Sequence, residues 1–112
     1  MSDKIMSDKI TKLSQAIRLG ATFRPQCFYA LSKGDDTNGM TCAIGAAYEV
    51  HLGEFPLPLK GISASEVTSF VKRFFDGDDM KALTINNKIA KLNDGQHLTR
   101  EEIADWLESI GM

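Results

Sequence analysis

The chain is short of the residues that usually advertise chemistry. It holds two cysteines, two histidines, one tryptophan and three prolines in 112 residues. Two cysteines, Cys27 and Cys42, are too few for a disulfide scaffold. No stretch approaches the roughly 20 apolar residues that cross a bilayer. No basic segment, apolar core and small-residue cleavage site open the chain, so no signal peptide is read. The expected compartment is the cytoplasm, where two thiols stay thiols. A P-loop, a G-x-G-x-x-G, an H-E-x-x-H and a G-x-S-x-G are all missing, which removes the commonest signatures of nucleotide, zinc-protease and serine-hydrolase chemistry.

What is there belongs to one globular domain. Hydrophobic residues make up 43% and charged residues 25%, near the globular average. A chain of this length buries roughly two thirds of its unfolded surface, enough for one core. The net charge of −2 argues mildly against a protein that lives on phosphate backbones. The charge is unevenly spread: residues 1–33 and 60–91 are net basic, residues 34–59 and 92–112 net acidic. The first ten residues read MSDKI twice. The reading is a flexible tail over residues 1–6 and a single helical domain over residues 7–112.

Helical periodicity is the main signal. Met6, Ile10, Leu13 and Ile17 share a face of a first helix over Ser7–Leu19, with Gly20 as its stop. The turn-rich Gly34–Gly39 stretch predicts a short hairpin, Cys27–Ser32 against Gly39–Thr41. Thr41 is read as the N-cap of a second helix, Cys42–His51, ended by Gly53. Ala43, Gly45, Ala46 and Ala47 make its start small enough for another backbone to come close, which marks it as central and buried. Phe55-Pro56-Leu57-Pro58-Leu59 reads as an extended linker. Ser63 with Glu66 and Thr99 with Glu102 form two capping boxes, each with an apolar staple, Ile62–Val67 and Leu98–Ile103. They start a third helix, with Val67, Phe70, Val71 and Phe74 on its face and an end near Asp76–Gly77, and a fifth, with Ile103, Trp106, Leu107 and Ile110. Between them, Asp78 or Asp79 caps a fourth helix, Met80–Leu92, whose face is Ile85, Ile89 and Leu92. The expected fold is mainly α: a compact bundle of about five helices, with room for a short β-hairpin between helices 1 and 2.

Candidate sites are few. Calcium fails, because each glycine-containing acidic loop lacks an oxygen ligand where an EF-hand requires one. Zinc would need Cys27, Cys42, His51 and His97 together, and none of their spacings is the short one of structural sites. A catalytic thiol is the sharpest enzymatic option: at the first turn of a helix the dipole favours the Cys42 thiolate, and His51 or His97 would supply a base. The plainer reading of Cys42 is packing, since Ala-Ile-Gly-Ala follows it. Leu98–Leu107 looks like the first half of a helix-turn-helix, but the sequence after it holds no second helix. A solvated basic face is the plainer explanation of Lys81, Lys88 and Lys91.

Three blocks carry a resemblance. They are Ala16-Ile-Arg-Leu-Gly-Ala21 with Arg24-Pro-Gln26, Thr41-Cys-Ala-Ile-Gly-Ala46, and Leu92-Asn-Asp94 with Thr99-Arg-Glu-Glu-Ile-Ala-Asp-Trp106. The pattern resembles a group of small bacterial and phage-borne proteins. The resemblance implies a shared compact fold and brings no activity with it. It singles out Cys42, Gly45, Asn93 and Asp94 as pattern positions. The function read from the sequence is that of a small non-enzymatic accessory protein that binds a protein partner or itself, without cofactor or metal. Phe55, Leu57 and Leu59 are its candidate contact residues. A thiol-dependent enzyme or redox protein at Cys42 and a weak nucleic-acid binder are the alternatives.

Overall fold

The computed structural model describes residues 10–28, 30–34, 38–54, 56 and 64–112. Helix accounts for 60% of them, in five helices with a two-stranded antiparallel hairpin between the first two. The helices are α1 (Leu13–Ala21), α2 (Ala43–Leu52), α3 (Ala64–Lys72), α4 (Asp79–Ala90) and α5 (Arg100–Ser109). The strands are β1 (Ser32–Lys33) and β2 (Met40–Thr41), with Ser32 opposite Thr41 and Lys33 opposite Met40. An isolated parallel bridge joins Gln26 to Thr41, so β2 lies between two segments of the preceding chain.

The hairpin is thus shorter than the expected Cys27–Ser32 pairing. Cys27 instead donates its N–H to the Thr41 carbonyl on the parallel side, at 3.0 Å. α1 starts later than Ser7. Its first turn is set where Gln15 Oε1 accepts from the Thr11 and Lys12 N–H groups, both at 3.1 Å. The expected tail, residues 1–6, lies outside the described residues, as does Ser63 of the first capping box.

Local signals place the starts of α4 and α5. Asp78 caps α4, its side chain accepting from Lys81 N–H at 3.0 Å. Thr99 and Glu102 form the reciprocal box at α5, at 3.1 and 2.9 Å. α3 ends at Lys72, before the expected Asp76, because residues 73–77 form turns closed by Asp76 and Gly77, both in the left-handed region. There Phe75 joins Phe70 in the buried core, while Phe74 is only partly covered.

Gly20 does not end α1. It lies inside the helix, where α1 crosses α2, and a Cβ there would fall 2.0 Å from the Ala46 carbonyl oxygen. Only a glycine lets the two backbones approach so closely. The small residues of α2 work in the same way: Ala43, Ala46 and Ala47 are fully buried. Gly45 meets not a helix but the Leu31 carbonyl beside the hairpin, which a Cβ would also approach to 2.0 Å.

Around this crossing the core closes. Leu13 and Ile17 of α1, Val71 of α3, Ile89 of α4, and Ile103 and Leu107 of α5 are almost wholly buried in one cluster. α1 packs most extensively on α2 and then on α5. Ser14 N–H and hydroxyl both donate to the Met112 carbonyl, at 3.1 and 2.9 Å, which gives a free amide of the first α1 turn a partner. Trp106 is partly covered and Ile110 is 44% exposed, so the expected apolar face of α5 is one residue narrower than its periodicity suggests.

Replacing Gly20 with Ala is expected to force α1 and α2 apart and lower stability by ~1–3 kcal/mol. Equilibrium denaturation measures this; an unchanged midpoint would show that the crossing relaxes freely.

Candidate functional site

Two regions gather side chains able to do chemistry: a buried polar hub at the start of α2 and an open cleft at its end.

The hub is centred on Asn93, which is 1% exposed. The chain delivers Asn93 through a single π turn, Lys91–Gly95, that continues α4. Its amide is fully used. Oδ1 accepts from Gln26 Nε2 at 2.8 Å and from Ala43 N–H at 3.1 Å. Nδ2 donates to the Cys27 carbonyl at 3.0 Å and to Asp94 Oδ1 at 2.8 Å. Ala43 N–H is one of the amides a helix start leaves unpaired, so Asn93 caps α2 from across the molecule.

Arg100, 6% exposed, fills the other side of the hub. Its guanidinium donates to the Thr41 hydroxyl at 3.0 Å, the Arg24 carbonyl at 2.6 Å, and the Ala21 and Thr41 carbonyls at 3.3 and 3.4 Å. These are neutral acceptors. Burial pushes the guanidinium down from its usual range, with the field of Glu101 the first of the effects that counter it. Its Nε has no hydrogen-bond partner among the described residues. Beside it Arg24 reaches back to Glu49, 5% exposed, with both carboxylate oxygens 3.0 Å from Arg24 Nε.

Cys42 belongs to this hub and is itself the N-cap of α2, the role expected of Thr41. Its sulfur accepts from Gly45 N–H at 3.3 Å, while Thr41 is fully buried in β2. The residue keeps some exposure, but desolvation of the sulfur pushes the thiol up to about 11, opposing the hydrogen bond from Gly45. A nucleophile needs the opposite shift. His51 sits nine residues further along α2, at the other end of the helix. His97 packs its ring on Phe28, with centroids 4.6 Å apart. Neither imidazole is paired with the sulfur.

The cleft lies between α2 and α3, with a volume of about 360 Å³, lined by Tyr48, His51, Glu66, Ser69, Phe70 and Arg73. Tyr48 and Phe70 form its floor, their rings 5.2 Å apart, and His51 packs on both. Arg73 extends from the turn after α3 and donates to His51, its Nη1 2.8 Å from Nδ1. Burial, and then the Arg73 charge, push the imidazole below its usual range, so His51 accepts as a neutral ring. Desolvation first, then Glu66, pushes the Tyr48 phenol up.

The contact residues expected on the linker, Phe55, Leu57 and Leu59, lie outside the described residues. Pro56 between them is buried and accepts from the Ser32 hydroxyl. Within the net basic stretch 1–33, Arg18 on α1 holds Asp105 and Glu108, and those hydrogen bonds, Glu108 first, push its guanidinium up. Lys81, Lys88 and Lys91 remain exposed on α4. Among the described residues no group of three or more His, Cys, Asp or Glu side chains is placed to hold a metal, and no helix is long and apolar enough to cross a membrane.

The residues of the three sequence blocks therefore meet inside the fold. Gln26, Thr41, Cys42, Asn93 and Arg100 form the hub, and Gly20 makes the close approach to α2. No family model, curated protein or solved structure matches the chain.

Replacing Asn93 with Ala leaves Ala43 N–H and the Cys27 carbonyl buried without partners. With ~1–3 kcal/mol for each such group, the expected loss is about 3 kcal/mol; a loss under 1 kcal/mol in urea unfolding would show that water enters the hub. Alkylation of Cys42 by iodoacetamide in the folded chain, followed by mass spectrometry, is expected to be slow at pH 7. It should quicken as the pH climbs towards 11, because the thiol ionises only there. A rate at pH 7 equal to that of a free cysteine would restore the nucleophile reading.

Proposed function

We propose that this protein is a small non-enzymatic accessory protein of the cytoplasm, of bacterial or phage origin, and that it binds a protein partner through the α2–α3 cleft. The observation that carries the reading is the way the polar side chains divide. In the hub, Asn93, Arg100 and Cys42 are committed to main-chain groups of the fold. In the cleft, an exposed guanidinium, an exposed imidazole and the exposed Ser69 face solvent over an aromatic floor. Exposed polar side chains over an aromatic floor are what recognition uses. The raised Cys42 thiol counts against the thiol-enzyme alternative.

The test is affinity capture from the protein's own host extract with two variants. Ser69→Trp fills the cleft from an exposed position and is expected to lose the captured partner while keeping its melting temperature. Cys42→Ser is expected to keep the partner. Loss with Cys42→Ser alone, with Ser69→Trp behaving as wild type, would move the function to the thiol.

A further inference from the structure

The cleft has a chemical polarity that narrows what it takes. Arg18 is held by Asp105 and Glu108, and Arg24 by Glu49. Arg100 is buried among carbonyls. Arg73 differs: it is exposed, and its side-chain partner among the described residues is the neutral His51 ring. A guanidinium presents a planar fork of donors that matches a carboxylate in two parallel hydrogen bonds, and such a pair is far stronger than a bond to neutral imidazole. The Ser69 hydroxyl, one helical turn before Arg73, adds a donor at the same end.

We propose that the Arg73 end of this cleft binds a carboxylate of the partner, and that His51 takes up a proton as the carboxylate arrives. The proposal rests on the cleft being the binding surface. When the carboxylate claims the guanidinium, His51 loses the N–H that holds it as an acceptor. It then faces a neutralised Arg73 and a nearby anion, which favour its charged form. The other titratable or charged groups lining the cleft are Tyr48 on α2 and Glu66 on α3. Glu66 lies seven residues before Arg73, about two helical turns away, so it disfavours an anion at its own end and steers the carboxylate towards Arg73. Between pH 8 and 5.5 imidazole is the side chain whose ordinary range falls in the window, so the coupling has one carrier here. By linkage, a ligand that raises the His51 pKa binds more tightly as the pH falls through that range.

The experiment uses the full chain and three probes: benzoate, acetate and inorganic phosphate. Amide spectra and the His51 ring signal are followed by NMR at pH 8 and pH 5.5. Benzoate is expected to shift the Ser69–Arg73 and His51 signals saturably and to raise the His51 titration midpoint. Its affinity should gain severalfold at the lower pH, tenfold being the limit that one pKa unit at one group sets. Arg73→Gln should abolish the saturable shift, Arg73→Lys should weaken it, and His51→Gln should keep binding but flatten its pH dependence. Both positions are exposed, so folding is not at stake. Saturable benzoate binding that survives Arg73→Gln, or phosphate binding more tightly than benzoate, overturns the carboxylate assignment. Binding without a change in the His51 midpoint overturns the proton coupling. If no probe binds while Ser69→Trp still loses the partner, the anion proposal fails and the cleft remains the contact surface. If Ser69→Trp also keeps the partner, both fail.

Discussion

The hydrogen bond from Ala43 N–H to Asn93 Oδ1 is the constraint on which the rest of the structure depends. α2 is the central helix, nearly all of it buried, and a buried helix start cannot leave its amides to water. Cys42 supplies one acceptor through a weak sulfur bond to Gly45 N–H, and Asn93 supplies the stronger one from fifty residues away. Because the same amide side chain also holds Gln26 and Cys27, the segment before the hairpin, the start of α2 and the end of α4 are located by a single residue. The π turn follows from this demand. An α-helix turns about 100° per residue and a π turn less, so the wider turn re-aims position 93 inward.

Arg100 resolves the neighbouring problem. Between α1 and β2 the chain turns the Ala21 and Arg24 carbonyls towards the buried Arg100 guanidinium, beside the short hairpin and the Gln26–Thr41 bridge. A guanidinium has five donors in a fixed fork and can serve several carbonyls at once. Arg100 therefore does for Ala21, Arg24 and Thr41 what a longer sheet would otherwise do. Its position at the start of α5, where a cation is unfavourable for the helix dipole, marks a tertiary demand overriding a local one. Glu101 and Glu102 in the same first turn offset that local penalty.

Much of the helical architecture was legible because its signals are local. The Thr99–Glu102 box, the Asp78 cap and the faces Ile85–Ile89–Leu92 and Phe70–Val71 lie within a turn or two of what they specify. The hub was not legible in the same way. Asn93 stands out in the sequence only as a position of the resemblance and Arg100 only as a member of the same block, because most of their partners are main-chain atoms distant in sequence. Gly20 shows the ambiguity most sharply: a glycine near a helix end reads as a stop, whereas contact with Ala46 requires it inside the helix. The cleft was missed since it pairs His51 at the end of α2 with Arg73 past α3, and only their packing brings them together. His51 had been weighed as a base for Cys42, a pairing that the length of α2 forbids.

That length separates the protein's two concerns. α2 rises about 1.5 Å per residue, so the hub at Cys42 and the cleft at His51 stand roughly 13 Å apart along one rigid axis. At the first end every polar group is turned inward and the penalty for losing a partner falls on folding. At the second end the aromatic floor of Tyr48 and Phe70 is part of the core, so the cleft inherits its shape from the packing that anchors α3. The cleft needs no loop to close over it for its geometry to be set. A guanidinium and an imidazole held this way meet a ligand with little ordering left to do, which favours tight recognition from few contacts. The same rigidity explains why the chemistry at the two ends does not compete. Cys42 can be desolvated for the sake of the α2 start without any consequence for the side chains that face solvent at its finish.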